Sequence, residues 1–186
     1  MDSGLYSSDD DHSLAEAARL EPQAFAVLYN RYIDRIYAYA LRQAGDVSLA
    51  QDVTSATFEK ALRSLRQRDW RGQSFLAWLY RIARNEAIHH HRLGSRMAEM
   101  PPDLPASESQ EDGLMAAQER QELFCALSRL SARDQEVLNL RFIEGLSSAE
   151  AAEVLGCSLP NLYLQAHRAL RRLRKMIAEL EEAPGG

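Results

Sequence analysis

Very little in this chain of 186 residues suits it to bridging disulfides, holding a metal or crossing a membrane. Only two cysteines occur, Cys125 and Cys157. Both sit within apolar helical patterns and neither has metal-ligand spacing, so a disulfide framework is excluded and a reducing compartment is expected. No apolar run approaches the ~20 residues that span a bilayer. The first residues are Ser- and Asp-rich rather than apolar, so no signal peptide is expected and the chain is assigned to the cytoplasm without membrane insertion. No alternation of apolar and polar residues reaches useful length, which leaves no strands to expect. A carboxylate pair at metal spacing, a phosphate-cradling glycine loop and a nucleophile motif are all missing, so neither an enzyme nor a cofactor is expected. The run His89-His90-His91 does not change this, because consecutive helical residues point ~100° apart and cannot converge on one ion.

What is present is apolar bulk and unevenly distributed charge. Hydrophobic residues make up 46% of the chain, enough for two small cores. The net charge of −5 argues against a polyanion-binding protein, but its distribution argues for one. Lys60 to Arg96 carries nine basic residues against two acidic ones, Asp69 and Glu86. Arg168 to Lys175 carries five basic residues and no acid. The acids collect in Asp9-Asp10-Asp11, in Glu99 to Asp112 and in Glu179 to Glu182. Two separated basic patches fit contact with a polyanion at two places.

The pattern divides the chain. Residues 1–12 are acidic and polar and are expected to be disordered. From Ser13, helical spacing runs through Phe25, Leu28, Tyr29, Tyr32, Ile36 and Ala40 until Gly45-Asp46 breaks it. Ser48 is the expected N-cap of a second helix carrying Val53, Phe58, Ala61 and Leu65. Trp70-Arg71-Gly72 reads as a loop, and Ser74 as the cap of a helix with Phe75, Trp78, Leu79, Ile82 and Ile88. Residues 97–113 hold three prolines and several acids, a composition that makes a flexible tether. Helical periodicity returns over 114–182, through Leu130, Val137, Leu138, Leu140 and Phe142, and residues 183–186 form a tail. The fold class is therefore all-α: two small helical domains, residues 13–96 and 114–182, joined by a flexible linker.

Near the C-terminus a helix-turn-helix is legible. Ser147 followed by Glu150 forms a capping box for a short helix ending at Leu155. Gly156 supplies the positive φ of a tight turn, Ser158 caps the second helix, and Pro160 lies in its first turn, where no helical N–H is lost. Small Ala152 lets the helices approach, and Leu162 buries between them. At ~100° per residue, Leu162 and Ala166 face inward while Asn161, Leu164, Gln165, Arg168, Arg171 and Arg172 face outward. Asn161 and Gln165 have the groups to pair with adenine, Arg168 with guanine or phosphate, and Leu164 with a thymine methyl. Arg171, Arg172 and Arg174 suit phosphates, or salt bridges to Glu179 or Glu181.

The stretch Trp78-Leu-Tyr-Arg-Ile-Ala-Arg-Asn-Glu-Ala-Ile-His-His-His-Arg92 mixes aromatics, arginines and an asparagine on one helix. Such a surface can stack on unpaired bases and neutralise their phosphates, although Trp78, Ile82 and Ile88 also suit a core. With Trp78-Leu79, Ile82-Ala83, Asn85 and a basic helix end at Arg92, the chain resembles the extracytoplasmic-function (ECF) sigma factors of the sigma-70 family. Phe25, Leu28, Tyr29 and Tyr32, then Ala50, Asp52, Phe58 and Ala61, match further motifs of that family. So do Leu130, Glu136, Arg141, Gly145, Ser147, Glu150, Gly156, His167, Arg168 and Leu173 in the C-terminal domain. The resemblance covers about residues 21–180.

It implies an alternative-sigma transcription initiation factor that binds core RNA polymerase and recognises the minus-ten and minus-thirty-five promoter elements. The helix beginning near Ser48 would bind the clamp of the largest polymerase subunit through Asp52, Glu59 and Lys60, with a further contact at the flap. Trp78, Arg81, Arg84, Asn85, His89 and Arg92 would hold the opened minus-ten strand. Asn161, Leu164, Gln165, Arg168, Arg171 and Arg172 would read the minus-thirty-five duplex. The tether would thread through polymerase toward the RNA exit path, and an anti-sigma protein is an implied partner. The chain departs from the family's pattern at Ser55-Ala56, His89, Ser131, Tyr163 and Gln165. The rival reading is a helix-turn-helix regulator that does not associate with core polymerase.

Overall fold

The computed structural model describes residues 8–71, 74–94, 123 and 125–181. The tether at 97–113, residues 114–122, the tail and Gly72 lie outside them. No strand occurs among the described residues. They form two compact units, one within Met1–Leu104 and one within Pro105–Gly186.

The first unit contains α1 (Ser8–Ala17), α2 (Pro22–Ala44), α3 (Val47–Arg66) and α4 (Phe75–Gly94). Helices α2, α3 and α4 pack on one another, and α1 lies against α2 and α4. Pro22 sits in the first turn of α2, where its missing N–H costs nothing. Gly45 ends that helix in the left-handed region at φ 67°. The chain then restarts at once, with Asp46 rather than Ser48 as the N-cap; its carboxylate accepts from the Leu49 N–H at 2.7 Å. Ala40, Ala50, Val53 and Ala87 form a small-residue seam that brings the three helices close. A second cluster is aromatic. Trp70, in the connection before α4, is buried and meets Phe75, Trp78 and His12 at ring-centre distances of 6.1, 6.5 and 5.1 Å. The expected loop at Trp70 is thus irregular in backbone but part of the core.

One expectation is overturned. Residues 8–12 are not disordered but form the start of α1. Asp11 is buried, and its carboxylate accepts from the Arg31 guanidinium and the Tyr32 hydroxyl on α2. Local composition could not show this, because the partners lie 20 and 21 residues away.

The second unit contains a helical stretch at 125–128, α5 (Ala132–Leu138), a π-helical turn (Asn139–Ile143), α6 (Ser148–Leu155) and α7 (Leu159–Glu181). Ser131 caps α5 by accepting from the Asp134 N–H at 3.2 Å, a use for the serine that departs from the family's pattern. Leu130, Leu138 and Ala169 form the centre of the core, with Leu127, Leu170, Leu173 and Met176 packed around them. The π turn shifts the register, so Leu140 and Leu146 are buried while Phe142 and Ile143 are exposed. Helical spacing alone had put Phe142 with the apolar set.

Burial, then the hydrogen bond to Asp11, pushes the Tyr32 hydroxyl up from 10.0 to about 12. The folded chain therefore keeps this proton when the unfolded chain has lost it, and stability falls as pH rises from 10 toward 12. Tyr32→Phe should remove that alkaline loss in thermal melts compared with the parent. Asp11→Ala should cost about 1–3 kcal/mol at neutral pH, measured by denaturant unfolding.

Candidate nucleic-acid interface

In the first unit, α3 and α4 border an open cleft of about 480 Å³. Lys60, Arg63 and Arg81 give it a cationic lining, Ser64 and Asn85 supply neutral polar groups, and Trp78 and Ile82 form apolar wall. Glu86 also lines it. Its carboxylate is buried and accepts from Lys60 Nζ at 2.5 Å, tying α4 to α3. A cationic, partly apolar groove of this kind suits a phosphate backbone with an unstacked base.

The structure redistributes the expected site residues of this unit. Arg81 and Asn85 reach the cleft together, and His89 lies one turn further along α4, exposed. Arg84 is half-buried and does not line the cleft, and the Arg92 side chain falls outside the described residues. Trp78 is corrected. Its side chain is only 4% exposed and packs against Phe75 and Trp70 at 5.5 and 6.5 Å, so it supports the helix rather than offering a stacking surface. Asp52 and Glu59 are exposed on α3, and Glu59 pairs with Arg63 at 2.7 Å. Lys60 does not join them; it belongs to the cleft through Glu86. Arg63 and Ser64 were not singled out as site residues, since only the pairing of α3 with α4 brings them there.

In the second unit, α6 and α7 form the helix-turn-helix. The Ser147–Glu150 capping box is complete, with the Ser147 N–H donating to Glu150 at 2.8 Å. Gly156 has φ 63° and no neighbour where a Cβ would stand, so backbone conformation rather than space makes glycine the fitting residue. Ala152 and Leu162 are buried at the helix contact. Asn161, Tyr163, Leu164, His167, Arg168 and Arg171 are exposed. Two residues expected to face solvent are instead engaged. Gln165 is half-buried and accepts from Arg133 Nε at 2.9 Å. Arg172, still exposed in part, donates to the buried Asp134 of α5. Lys175 is the residue that pairs with Glu179, at 3.5 Å. The remaining outward face combines Arg168 and Arg171 with Tyr163 and Leu164, a surface poorer in charge and richer in apolar contacts than a purely phosphate-binding helix.

Among the described residues no three His, Cys, Asp or Glu side chains are grouped to hold a metal ion, and no helix is long and apolar enough to cross a membrane. Neither Cys125 nor Cys157 forms a disulfide, and both are half-buried.

Comparison with known proteins places these two sites in a common frame. Residues 28–97 match the family Sigma-70 region 2, and residues 120–173 match Sigma-70, region 4. The chain is 35% identical to the ECF RNA polymerase sigma factor BldN of Streptomyces coelicolor over 86% of its own length, and spans 62% of that protein. It is 32% identical to the RNA polymerase sigma factor CarQ of Myxococcus xanthus, over 85% of this chain and 91% of that one. The sigma factor RpoE of Bartonella quintana, solved in complex with the anti-sigma factor NepR, superposes with a TM-score of 0.67 at 25% identity, covering 83% of this chain and 96% of that chain.

Trp78→Ala should destabilise the first unit by about 3–5 kcal/mol in denaturant unfolding, the usual cost of emptying an aromatic core position. Asn85→Ala, on the cleft surface, should leave the unfolding midpoint within about 0.5 kcal/mol of the parent.

Proposed function

Since this chain belongs to the extracytoplasmic-function group of the sigma-70 family, we propose that it acts as an alternative sigma factor through a division of labour between its two units. It joins core RNA polymerase and carries it to promoters, working in the cytoplasm as a binding and DNA-opening subunit without catalysis of its own. The exposed face of α3, with Asp52 and Glu59, docks on the clamp of the largest polymerase subunit. Lys60 contributes there indirectly, by holding α3 to α4. The cleft between these helices takes the opened minus-ten strand. Arg81 neutralises phosphate, Asn85 bonds a base edge, and His89 and Arg92 extend the contact along α4. Captured bases repay the lost pairing and stacking, which makes melting favourable.

Helix α7 enters the major groove of the minus-thirty-five element. Asn161, Leu164 and Arg168 meet base edges, and Arg171 holds a phosphate. Residues 97–113 link the two contacts through the polymerase toward the RNA exit path and the flap, and an anti-sigma protein holds the factor in reserve. The first domain then begins with α1, at Ser8 rather than at residue 13, and runs to about residue 96, and the second spans 114–182. The observation that carries the reading is the pairing, in one chain, of region 2 with its cationic cleft and region 4 with its helix-turn-helix. A regulator working without core polymerase would leave the cleft of the first unit without a partner.

Transcription in vitro with purified core polymerase tests this. Specific initiation on genomic promoter fragments should require the chain. Asn85→Ala should reduce open-complex formation without weakening duplex binding, and Arg168→Ala should weaken minus-thirty-five binding by about tenfold. Failure to bind core polymerase would sink the proposal.

A further inference from the structure

Two residues at the start of α5 reach α7. Arg133 Nε donates to Gln165 Oε1 at 2.9 Å, and the buried Asp134 accepts from Arg172. Gln165 and Arg172 lie two turns apart, so α5 holds one flank of α7. By helical spacing Asn161 and Arg168 share that flank, and both are exposed. Ser131 caps the turn that carries Arg133, and Asp134 beside it is paired, so the backbone under Arg133 is anchored.

Arg133 itself is exposed. Among the described residues its guanidinium donates only through Nε, which leaves the four N–H donors of its two Nη groups unengaged. A bond at Nε steadies the planar fork without occupying its outer edge, the edge that suits two oxygens of one phosphate.

The place of this fork on the flank of α7 decides what it can meet. An α-helix with its side chains is about 10–12 Å across, and the major groove is about 12 Å wide. A recognition helix therefore fills the groove. Its leading face meets base edges, and its flanks meet the phosphates that form the groove walls. A guanidinium bonded to a flank residue stands at such a wall.

We propose that Arg133 is a DNA-contacting residue: its two Nη groups hold a backbone phosphate at the minus-thirty-five element, and Gln165 is the positioning residue that aims it. This rests on the reading of α7 as the duplex-recognition helix. It gives Gln165 a role in place of the adenine pairing expected from sequence. It also brings from α5 a charge that α7 lacks at Tyr163 and Gln165.

The test uses core polymerase carrying the full chain, bound to a promoter fragment that it selects from genomic DNA. Phosphates across the minus-thirty-five element and its edges are replaced one at a time by neutral methylphosphonates. The parent should lose about tenfold in affinity at one phosphate whose replacement Arg133→Ala no longer senses. Arg133→Ala should also weaken binding alike for every base sequence and reduce the slope of log affinity against log salt by about one. Arg133→Lys should keep the parent's slope, because the charge remains. Gln165→Ala should weaken binding by a smaller factor, leave the order of base preference unchanged and add nothing in the double variant Arg133→Ala/Gln165→Ala. A methylphosphonate profile and salt slope in Arg133→Ala equal to the parent's would overturn the proposal, whatever the unfolding midpoint, and leave the residue a tie between α5 and α7. A changed base preference at one position in Gln165→Ala would make that residue a base reader and overturn its positioning role. If no phosphate of the minus-thirty-five element matters to the parent, the duplex reading of α7 fails and takes the proposal with it. That outcome differs from a profile of phosphate effects that Arg133→Ala leaves intact.

Discussion

Three buried carboxylates, Asp11, Glu86 and Asp134, hold this structure in its working form. Each is bonded to a cation on a neighbouring helix: Asp11 to Arg31, Glu86 to Lys60, Asp134 to Arg172. A carboxylate removed from water without a partner costs several kcal/mol, so each one demands that its two helices stay in register. The first fixes α1 on α2, the second fixes α4 on α3, the third fixes α7 on α5. The cationic surfaces of a chain with net charge −5 come from its uneven charge distribution, and these three ion pairs fix the helices that carry them.

The aromatic cluster works beside these anchors. Trp70 lies in the connection that leads into α4, and its burial against His12, Phe75 and Trp78 sets where that helix begins. Tyr32 joins the cluster through Phe75, at 6.0 Å, and joins the first anchor through its hydroxyl. Helix α1 is thus built into the support of the cleft rather than appended to it. With the bulk of Trp78 turned inward, Arg81 and Asn85 line the cleft from α4 beside Ile82 and the buried Glu86.

The second unit is balanced toward selectivity. Phosphate contacts supply affinity and salt dependence, whereas base-edge contacts supply discrimination. Arg172 is partly committed to Asp134, and Tyr163 and Leu164 stand exposed on the recognition helix. If α7 reads duplex DNA as proposed, less of its binding energy comes from counterion release and more from apolar and hydrogen-bonded contact in the groove. A sigma factor also tethered to DNA through polymerase and the minus-ten element can tolerate a weaker single contact, because the second binding event is intramolecular.

Sequence by itself determined the helices, the breaks between them and the chemistry of each module. Those features depend on residues a few positions apart: Gly45 and Gly156 in left-handed turns, the Ser147–Glu150 capping box, and the apolar spacing that buries Leu28, Ile36 and Leu162. The family motifs are local in the same sense, which is why the outward placement of Asn85 and Arg168 is legible from the chain alone. Only the tertiary structure decided what distant pairings control. Asp11 was read as part of a disordered acidic stretch because Arg31 and Tyr32 lie on another helix. For Trp78 the helical pattern allows both a stacking surface and a core position, and the burial against Phe75 and the loop residue Trp70 favours the core. Gln165 was read as free because Arg133 precedes it by 32 residues. Helical spacing tells which face a side chain takes, but only the packing of helices tells what waits on that face.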